Sequence, residues 1–171
     1  VTLMRSMMHT QASPVLPAKR KAMIIEYFRC NENAETPERT NQSDAGLDVF
    51  ACLPEDVQLS PGGSTLIPLG LKFGVPHGFM LQVMNRSSIA SKRSLIVGAH
   101  VIDSGYNGEV FINLHNVGGS VQTIKHGQKI AQLVMIPVVP FRPTEILEDT
   151  LYEDGITISN RGDGALGSTG G

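Results

Sequence analysis

The chain has 171 residues, with 14 lysines and arginines, 16 aspartates and glutamates, and a formal net charge of −2. A chain of this length can bury the core of one domain but not comfortably of two. Because the net charge is slightly negative, the protein has no overall positive potential that would attract a nucleic-acid backbone. No nucleic-acid partner is therefore expected. Its two cysteines, Cys30 and Cys52, are too few for a disulfide framework and favour a reduced, intracellular setting.

Residues 1–21 are interpreted as an N-terminal extension outside the folded domain. They are rich in Met, Ser and Thr, lack acidic residues and contain the basic cluster Lys19–Lys21. Two alternatives stay open, a targeting segment with PAKRKA as a short nuclear signal, or a disordered extension without a role. The expected location is therefore cytoplasmic, or nuclear or organellar if the extension is a targeting segment.

From residue 22 onward, short apolar runs alternate with turn signals at roughly ten-residue spacing, which favours an all-β sandwich or barrel. Strands are predicted, in chain order, over 22–29, 45–51, 64–73, 79–84, 94–97, 109–114, 120–124 and 129–138. Pro68 suits an edge strand or a bulge. Only 88–92 could form a helical turn, because no window shows a sustained helical period. The predicted β domain covers residues 22–152.

The C-terminal third contains two further features. The apolar run 130–141 is interrupted by Gln132, Pro137 and Pro140, so no membrane-spanning helix, and no membrane partner, is expected. Residues 153–171 are rich in glycine and have no strong apolar pattern. They are predicted to form a flexible arm outside the core.

Several well-known catalytic motifs are missing from the sequence. It has no G-x-S-x-G elbow, P-loop, dinucleotide-binding fingerprint or metal-binding histidine spacing. What remains are five clusters of small polar residues and glycines between the predicted strands, at 44–51, 85–92, 97–110, 127–137 and 161–171. Chemistry is therefore expected in these five segments.

The first two clusters contain a charge in need of a partner. Asp48 stands among apolar neighbours, so it either meets a cation or a hydrogen-bond network, or caps a turn. Arg86 could fork onto phosphate oxygens, with the hydroxyls of Ser87 and Ser88 beside it at the start of the helical turn. A turn with a surface arginine explains that second cluster equally well.

The other three clusters combine glycines with single functional groups. Asp103 in a glycine-rich hairpin is a candidate general base, and Tyr106 offers a face for a sugar or a base, although a plain hairpin is an equal alternative. Gln132 interrupts an apolar strand and must find partners. In the tail, glycines free backbone N–H groups for anion binding, and Arg161, Ser168 and Thr169 add charge and hydroxyls.

Taken in order, the five clusters resemble the five motifs of the trimeric dUTPase family. They read AGLD (45–48), NRSSIA (85–90), HVIDSGYNGE (100–109), GQKIAQL (127–133) and RGDGALGSTG (161–170). The similarity spans roughly residues 22–171. It implies a jelly-roll-like distorted β-barrel and a homotrimer with active sites between subunits. The C-terminal arms would be exchanged between subunits and would close these sites. It also implies Mg²⁺-dependent hydrolysis of dUTP to dUMP and pyrophosphate, which keeps uracil out of DNA and supplies dUMP for thymidylate synthesis.

The resemblance also implies roles for individual residues. Asp103 would hold and deprotonate the water that attacks the α-phosphorus, with Gln132 as the second catalytic residue, and Tyr106 would pack under the deoxyribose. The uracil edge would be read by the backbone of Gly98, Ala99, His100, Val101 and Ile102. Phosphate oxygens would be held by Arg86, Ser87, Ser88 and Gln132, and Asp48 would act through metal-bound water. The arm would add Arg161, Leu166, Gly167, Ser168 and Thr169.

Three positions depart from the family pattern. Asn85 replaces a proline and is expected to loosen the turn before Arg86. His100 replaces a glycine, and its side chain is expected to narrow or re-aim the base pocket. Leu166 replaces a phenylalanine that stacks on uracil, which predicts weaker substrate affinity, by about 0.5–1.5 kcal/mol, rather than lost chemistry.

Two rival functions remain open on the sequence. AHVIDSG also resembles a motif of the related dCTP deaminases, which carry a proton-shuttling glutamate about ten residues after the aspartate. That position is Asn113 here, and an amide cannot shuttle protons. The second rival is a catalytically weak family member that acts as a regulatory binding protein. A regulatory protein partner of an active enzyme is also compatible with the sequence.

Overall fold

The structure, a computed structural model, describes residues 23–147 and contains eleven strands and one short helix in that range. The strands are β1 (Glu26–Arg29), β2 (Leu47–Phe50), β3 (Val57–Leu59), β4 (Ser64–Pro68), β5 (Leu71–Gly74), β6 (Phe79–Met84), β7 (Leu95–Val97), β8 (Val101–Ile102), β9 (Phe111–Asn116), β10 (Gln122–Ile124) and β11 (Lys129–Pro137). The helix α1 (Ser87–Arg93) follows β6. The predicted all-β, jelly-roll-like class is confirmed.

The strands form four sheets. The largest has the order β2-β11-β6-β8, and a three-stranded sheet has the order β4-β9-β7. Two antiparallel pairs, β1-β5 and β10-β3, complete the fold. Pro68 is the last residue of β4, an edge strand, where a proline removes no hydrogen bond that the sheet needs.

Most predicted strands are found, but several of them have different bounds in the structure. The strand predicted over 64–73 is two strands, because Gly70 between them has φ 65°. Gly70 also lies close to other segments, since a Cβ there would be 2.8 Å from the Ala34 Cβ and 2.9 Å from the Cys52 Sγ. A residue with a side chain would be strained by both its backbone and its neighbours. The short strands β3 and β8 were not predicted.

A single apolar core lies under the sheets. The largest side chains that are fully buried belong to Ile67, Leu69, Leu71, Leu95, Ile112, Leu114, Ile124 and Ile130. All but Leu69, which lies between β4 and β5, come from strands, where buried and exposed positions alternate with the two-residue period of a half-buried strand. Asn116 is buried as well, and its amide donates to the carbonyls of Leu59 and Ser120. Functional side chains therefore lie on the outer faces and the loops.

Helix α1 is a short connector between β6 and β7. It buries only Ile89 against the core and ends at Ser94, which adopts the left-handed conformation with φ 53°. The Ser94 N–H donates to the Ala90 carbonyl and closes the last turn. The helix thus holds the segment that follows β6 at a fixed place beside β2.

The chain divides into two compact units, 1–138 and 139–171. Of the second unit, the structure describes 139–147, whose residues are exposed and lie outside helices and strands. The predicted extension at 1–21, the domain boundary at 152 and the arm at 153–171 lie outside the described residues. Within residues 23–147, no helix is long and apolar enough to cross a membrane.

Candidate active site

The partner of Asp48 is Arg86. Asp48 lies on β2, and its Oδ1 and Oδ2 accept hydrogen bonds from the Arg86 Nε at 2.8 Å and Nη2 at 3.2 Å. Both side chains are largely buried, with exposures of 15% for Asp48 and 25% for Arg86. Of the alternatives that the sequence left open for Asp48, the structure has the contact with a cation. The pair orients the guanidinium, because a bidentate contact fixes both its direction and its plane.

A second cation reaches the same carboxylate. The Nζ of Lys129 lies 3.2 Å from the Asp48 Oδ2 and also forms a salt bridge with Glu38. The hydrogen bond that the Lys129 ammonium donates to Glu38 and, more weakly, the one that it donates to Asp48 raise the pKa of Lys129. Two carboxylates and two cations balance here, so no charge is left unpaired by the network. We call this group the Asp48 network.

Gln132 lies next to Asp48 across the β2–β11 pair. Its Nε2 donates to the Asn85 carbonyl at 2.9 Å. Its Oε1 lies so close to Gly46 that a Cβ on this glycine would be 2.7 Å away. The Gln132 side-chain amide therefore has a hydrogen-bond partner, as expected, and Gly46 leaves space for this side chain because it has none of its own.

These residues surround a polar cleft of about 180 Å³, which we call the arginine cleft. Its lining consists of Thr40, Asp44, Gly46, Asp48, Arg86, Ser87, Ser88 and Gln132. Three of the five predicted motifs thus meet in one chain. The two serines begin helix α1 directly after Arg86 and line the cleft together with it. Such a group of donors suits an anion with several oxygens.

Asp103 and Tyr106 lie in a different pocket, of about 200 Å³, which we call the Asp103 pocket. Its lining consists of Val101, Ile102, Asp103, Tyr106, Glu109, Val110 and Phe111. The Tyr106 hydroxyl donates to the Glu109 carbonyl at 2.9 Å, and the ring lies against Gly108. A Cβ on Gly108 would be 2.4 Å from that hydroxyl oxygen. Gly108 therefore allows the ring to fold back over its own turn.

The segment 97–102 connects β7 to β8 and contains the residues predicted to read a base. The Gly98 N–H donates to the Asn113 carbonyl at 2.9 Å. A Cβ on Gly98 would be 2.2 Å from the His115 Nε2, so this position requires a glycine. The His100 ring lies on β6, with its Nδ1 2.8 Å from the Val83 carbonyl oxygen. The ring is thus held by the sheet.

Asn85, which is expected to loosen the turn before Arg86, makes two contacts that the sequence did not indicate. Its Oδ1 accepts a hydrogen bond from the Val97 N–H at 2.8 Å, while its carbonyl accepts from Gln132 at 2.9 Å. The side chain that replaces the proline thus supplies a tertiary contact. A proline has no acceptor in its side chain and could not make it.

The arginine cleft and the Asp103 pocket share no lining residue. Asp48 pairs with Gln132 and Gln132 with Met84, whereas Ile102 pairs with Leu81. Three interstrand steps of about 4.8 Å and three residues of about 3.3 Å along β6 put Asp48 and Ile102 about 17 Å apart. One chain therefore carries two separate halves of the predicted site.

Sequence reasoning missed Lys129, Glu38 and Thr40 in and around the arginine cleft, whereas Asp44 belongs to the predicted cluster 44–51. Lys129 stands inside the GQKIAQL motif, which is the one signal that could have identified it. The predicted arm residues Arg161, Leu166, Gly167, Ser168 and Thr169 lie outside the described residues. Their roles stay predictions.

A magnesium ion fits the chemistry of the arginine cleft only if it binds together with a ligand that coordinates it. Among residues 23–147, no three His, Cys, Asp or Glu side chains lie together as a metal site. The Asp48 oxygens already accept from Arg86 and Lys129, but a carboxylate has further lone pairs. It could therefore accept a hydrogen bond from a metal-bound water. Magnesium commonly keeps several waters and takes its other ligands from phosphates.

Three comparisons with known proteins identify the family of this chain. The dUTPase family model matches residues 32–170. The deoxyuridine 5'-triphosphate nucleotidohydrolase of Desulfotalea psychrophila is 39% identical over 144 residues, which cover 83% of this chain and 91% of the relative. A variant of the Staphylococcus bacteriophage 80alpha dUTPase with dUpNHpp has a TM-score of 0.76 and 25% identity, covering 88% of this chain and 100% of the phage chain.

A second solved structure, a variant of the dUTPase from phage phi11 of S. aureus, concerns the coordination of a structural Mg(II) ion. It has a TM-score of 0.68 and 26% identity, and covers 74% of this chain and 98% of the phage chain. The family match covers all five motifs, including the part of the arm that the structure does not describe. The chain belongs to the dUTPase family.

Proposed function

We propose that this protein hydrolyses dUTP to dUMP and pyrophosphate. The observation that carries the proposal is the pairing of an anion-binding cleft, built around Arg86, with an exposed carboxylate, Asp103, beside an exposed tyrosine. Family membership and the dUpNHpp bound to the phage relative support the same substrate. The products link the reaction to thymidylate synthesis and to the exclusion of uracil from DNA.

Asp103 is the proposed general base. It lies at the end of β8, its side chain is exposed, and the turn after it is closed by the Tyr106 N–H, which donates to its carbonyl at 3.3 Å. The carboxylate is thus free to hold a water and to accept its proton as the oxygen attacks the α-phosphorus. Phosphoryl transfer needs positioning and charge neutralisation more than covalent help, so one base suffices.

Tyr106 is proposed to pack under the deoxyribose. Its hydroxyl is engaged by the Glu109 carbonyl, and its ring is held against Gly108, so the ring presents a fixed face to the pocket. A sugar that lies on this face has no space for a 2′-hydroxyl. The proposed site therefore selects deoxyribonucleotides by shape.

The base is proposed to lie against the segment 97–102. Gly98 and Ala99 are exposed there, and their backbone groups offer donors and acceptors to the edge of a uracil. Val101 and Ile102 form β8, and their pairing with β6 fixes the C-terminal end of the segment. A slot of backbone groups reads a base by its hydrogen-bonding pattern and leaves little space for a 5-methyl group.

The triphosphate is proposed to occupy the arginine cleft. Arg86 and the hydroxyls of Ser87 and Ser88 would contact phosphate oxygens, and Gln132 has a second amide hydrogen to donate. The arm residues Arg161, Ser168 and Thr169 are proposed to hold the outer phosphates, with Leu166 and Gly167 covering the base. Magnesium, when bound with the substrate, would neutralise phosphate charge, and Asp48 is the residue proposed to hold it through water.

We further propose a homotrimer in which each active site joins parts from different copies. The separation of about 17 Å between Asp48 and Ile102, estimated from strand spacings, supports this arrangement. The Asp103 pocket of one copy would face the arginine cleft of another, and a C-terminal arm would close over both. A cytoplasmic location is proposed as well, because both cysteines of the described chain are unpaired thiols.

The deciding experiment measures pyrophosphate release from dUTP, dCTP, dTTP and UTP, with the Asp103→Asn variant as the control. We expect turnover of dUTP, little of the other three, and loss of turnover in the variant with unchanged folding. Deamination of dCTP would favour the dCTP deaminase alternative, against which Asn113 already argues. Binding of dUTP without turnover would favour a regulatory protein.

A further inference from the structure

We propose that Asn85 and His100 act as two anchors that hold the segment 97–102 in the conformation that receives the base. Both are positioning residues, since they act through the backbone of that segment. This inference rests on the proposed function and extends it. It assigns a role to two side chains at which this chain departs from the motifs of its family, where proline and glycine are usual.

The first anchor holds the start of the segment. The Asn85 Oδ1 accepts a hydrogen bond from the Val97 N–H at 2.8 Å. The Asn85 carbonyl accepts from the Gln132 Nε2 at 2.9 Å. One residue thus links the base segment to the strand that carries Gln132, on the rim of the arginine cleft. A proline at position 85 would leave the Val97 N–H without this acceptor.

The second anchor holds the segment three residues further on. The His100 carbonyl accepts from the Val83 N–H at 2.8 Å, and the His100 Nδ1 lies 2.8 Å from the Val83 carbonyl oxygen. Because a carbonyl oxygen only accepts, the Nδ1 of His100 must carry the hydrogen. The ring thus takes the place of a backbone donor and extends the β6–β8 pairing by one residue. A glycine has no side chain that could supply this donor.

Gly98 and Ala99 lie between the two anchors. Both are exposed, and the Gly98 N–H is used by the Asn113 carbonyl. Within the part of the chain that the structure describes, the Ala99 N–H and carbonyl and the Gly98 carbonyl make no hydrogen bond. Backbone groups that are free but fixed in place are suited to reading a base edge. Holding them before the ligand arrives lowers the ordering cost of binding.

The anchors are tested with Asn85→Ala and His100→Ala, each assayed for dUTP hydrolysis. If the segment is held in advance, either variant raises the KM for dUTP about two- to tenfold, the effect of one lost hydrogen bond, while kcat changes less. Selectivity for dUTP over dCTP should fall in parallel. The His77→Ala variant, in the exposed turn between β5 and β6, is the control and should behave as the wild type.

A conservative replacement separates anchoring from general packing. His100→Asn keeps a donor near the position of the Nδ1 and should recover most of the lost affinity, whereas His100→Gly should not. Unchanged KM values in both alanine variants, or no recovery in His100→Asn, would overturn the proposal. So would a fall in kcat at constant KM, because that outcome places the residues in the chemical step.

Amide hydrogen exchange tests the anchors independently of turnover. Exchange of the Val97 N–H should be faster in Asn85→Ala than in the wild type and unchanged in His77→Ala. Equal exchange at Val97 would refute the first anchor whatever the enzyme hydrolyses. A wild type that exchanges as expected but does not turn over dUTP would refute the proposed function and leave the anchoring intact.

Discussion

Asp48 and Arg86 lie 38 residues apart in the sequence, in two different motifs, and form one bidentate ion pair with distances of 2.8 and 3.2 Å. Lys129 lies 3.2 Å from the same carboxylate and is itself paired with Glu38. The carboxylate thus organises two cations at the edge of the arginine cleft. The guanidinium is directed by the protein before any phosphate binds, which is the preorganisation that favours transition-state binding.

The Asp48→Asn substitution tests this organisation. The amide keeps the shape of the side chain but leaves Arg86 without a counter-charge and Lys129 with Glu38 alone, so we expect a loss of about 1–3 kcal/mol of stability. The value of kcat/KM for dUTP should fall by about ten- to a hundredfold as the guanidinium loses its orientation. Chemical denaturation and steady-state kinetics measure the two effects.

Asp56→Asn is the matched control for that substitution. Its ion pair with Lys125 is longer, at 3.7 Å, and both side chains are exposed. Exposed pairs of this kind contribute little, so stability and kinetics should stay close to those of the wild type. Equal effects of the two substitutions would contradict the special role of Asp48.

The Gly108→Ala substitution tests whether the Tyr106 ring must lie against Gly108. A Cβ at this position would lie 2.4 Å from the Tyr106 Oη and 2.6 Å from its Cζ, so the ring must move. Because Tyr106 is 48% exposed, it can swing outward without disturbing the core, and the melting temperature should change little. The displaced ring no longer supports the sugar, and kcat/KM for dUTP should fall about tenfold or more.

Gly119→Ala serves as the control for Gly108→Ala, since a Cβ there would meet no atom within 4 Å. This variant should keep both its melting temperature and its kinetics. A Gly108→Ala enzyme with wild-type kinetics would show that the Tyr106 ring is not required in this position.

The Gly98→Ala substitution tests the close approach of the base segment to β9. The new Cβ would be 2.2 Å from the His115 Nε2 and 2.7 Å from its Cδ2, and the half-buried ring has limited space to retreat. We expect a loss of about 1–3 kcal/mol of stability from overpacking. The double variant Gly98→Ala/His115→Ala should recover most of it. Equal destabilisation with and without the His115 ring would place the strain elsewhere.

The fold could be predicted from the sequence where strands follow the simple alternation of side chains. β6 has the predicted bounds, because Phe79, Leu81 and Val83 mark one face over six residues. β3 and β8 have three and two residues, too few for a period to be recognised. Their existence depends on pairing with β10 and β6, which are distant in sequence.

The residue types of the candidate site could be predicted from the sequence, but the contacts between these residues could be predicted less well. The sequence left open whether Asp48 meets a cation, meets a hydrogen-bond network or caps a turn, because the pairing with Arg86 depends on tertiary structure. Lys129 was missed for a local reason. The register of β11 shifts between Lys129 and Ala131, so Lys129 and Gln132 both lie next to Asp48 although simple alternation puts them on opposite faces.

The proposed arm gives a prediction that depends on the family resemblance alone. Leu166→Phe restores the aromatic residue that stacks on uracil in the family pattern, and the KM for dUTP should fall by about two- to tenfold, the value of one aromatic contact. The value of kcat should change little, since the base is remote from the reacting phosphorus. A KM that is the same in both proteins would count against the stacking role of position 166.

The separation of the arginine cleft from the Asp103 pocket gives the sharpest test of the proposed assembly. Arg86→Ala and Asp103→Asn should each be inactive alone. Mixed in equal amounts and refolded together, they should recover about a quarter of wild-type activity, because half of the copies supply an intact Asp103 and half an intact Arg86 at each site between copies. If each chain completed its own site, every site would carry one lesion and no activity would return. A mixture of Asp103→Asn and Tyr106→Ala, which damages the same pocket in every chain, should show no more than the average of the two variants' own activities and controls for refolding artefacts.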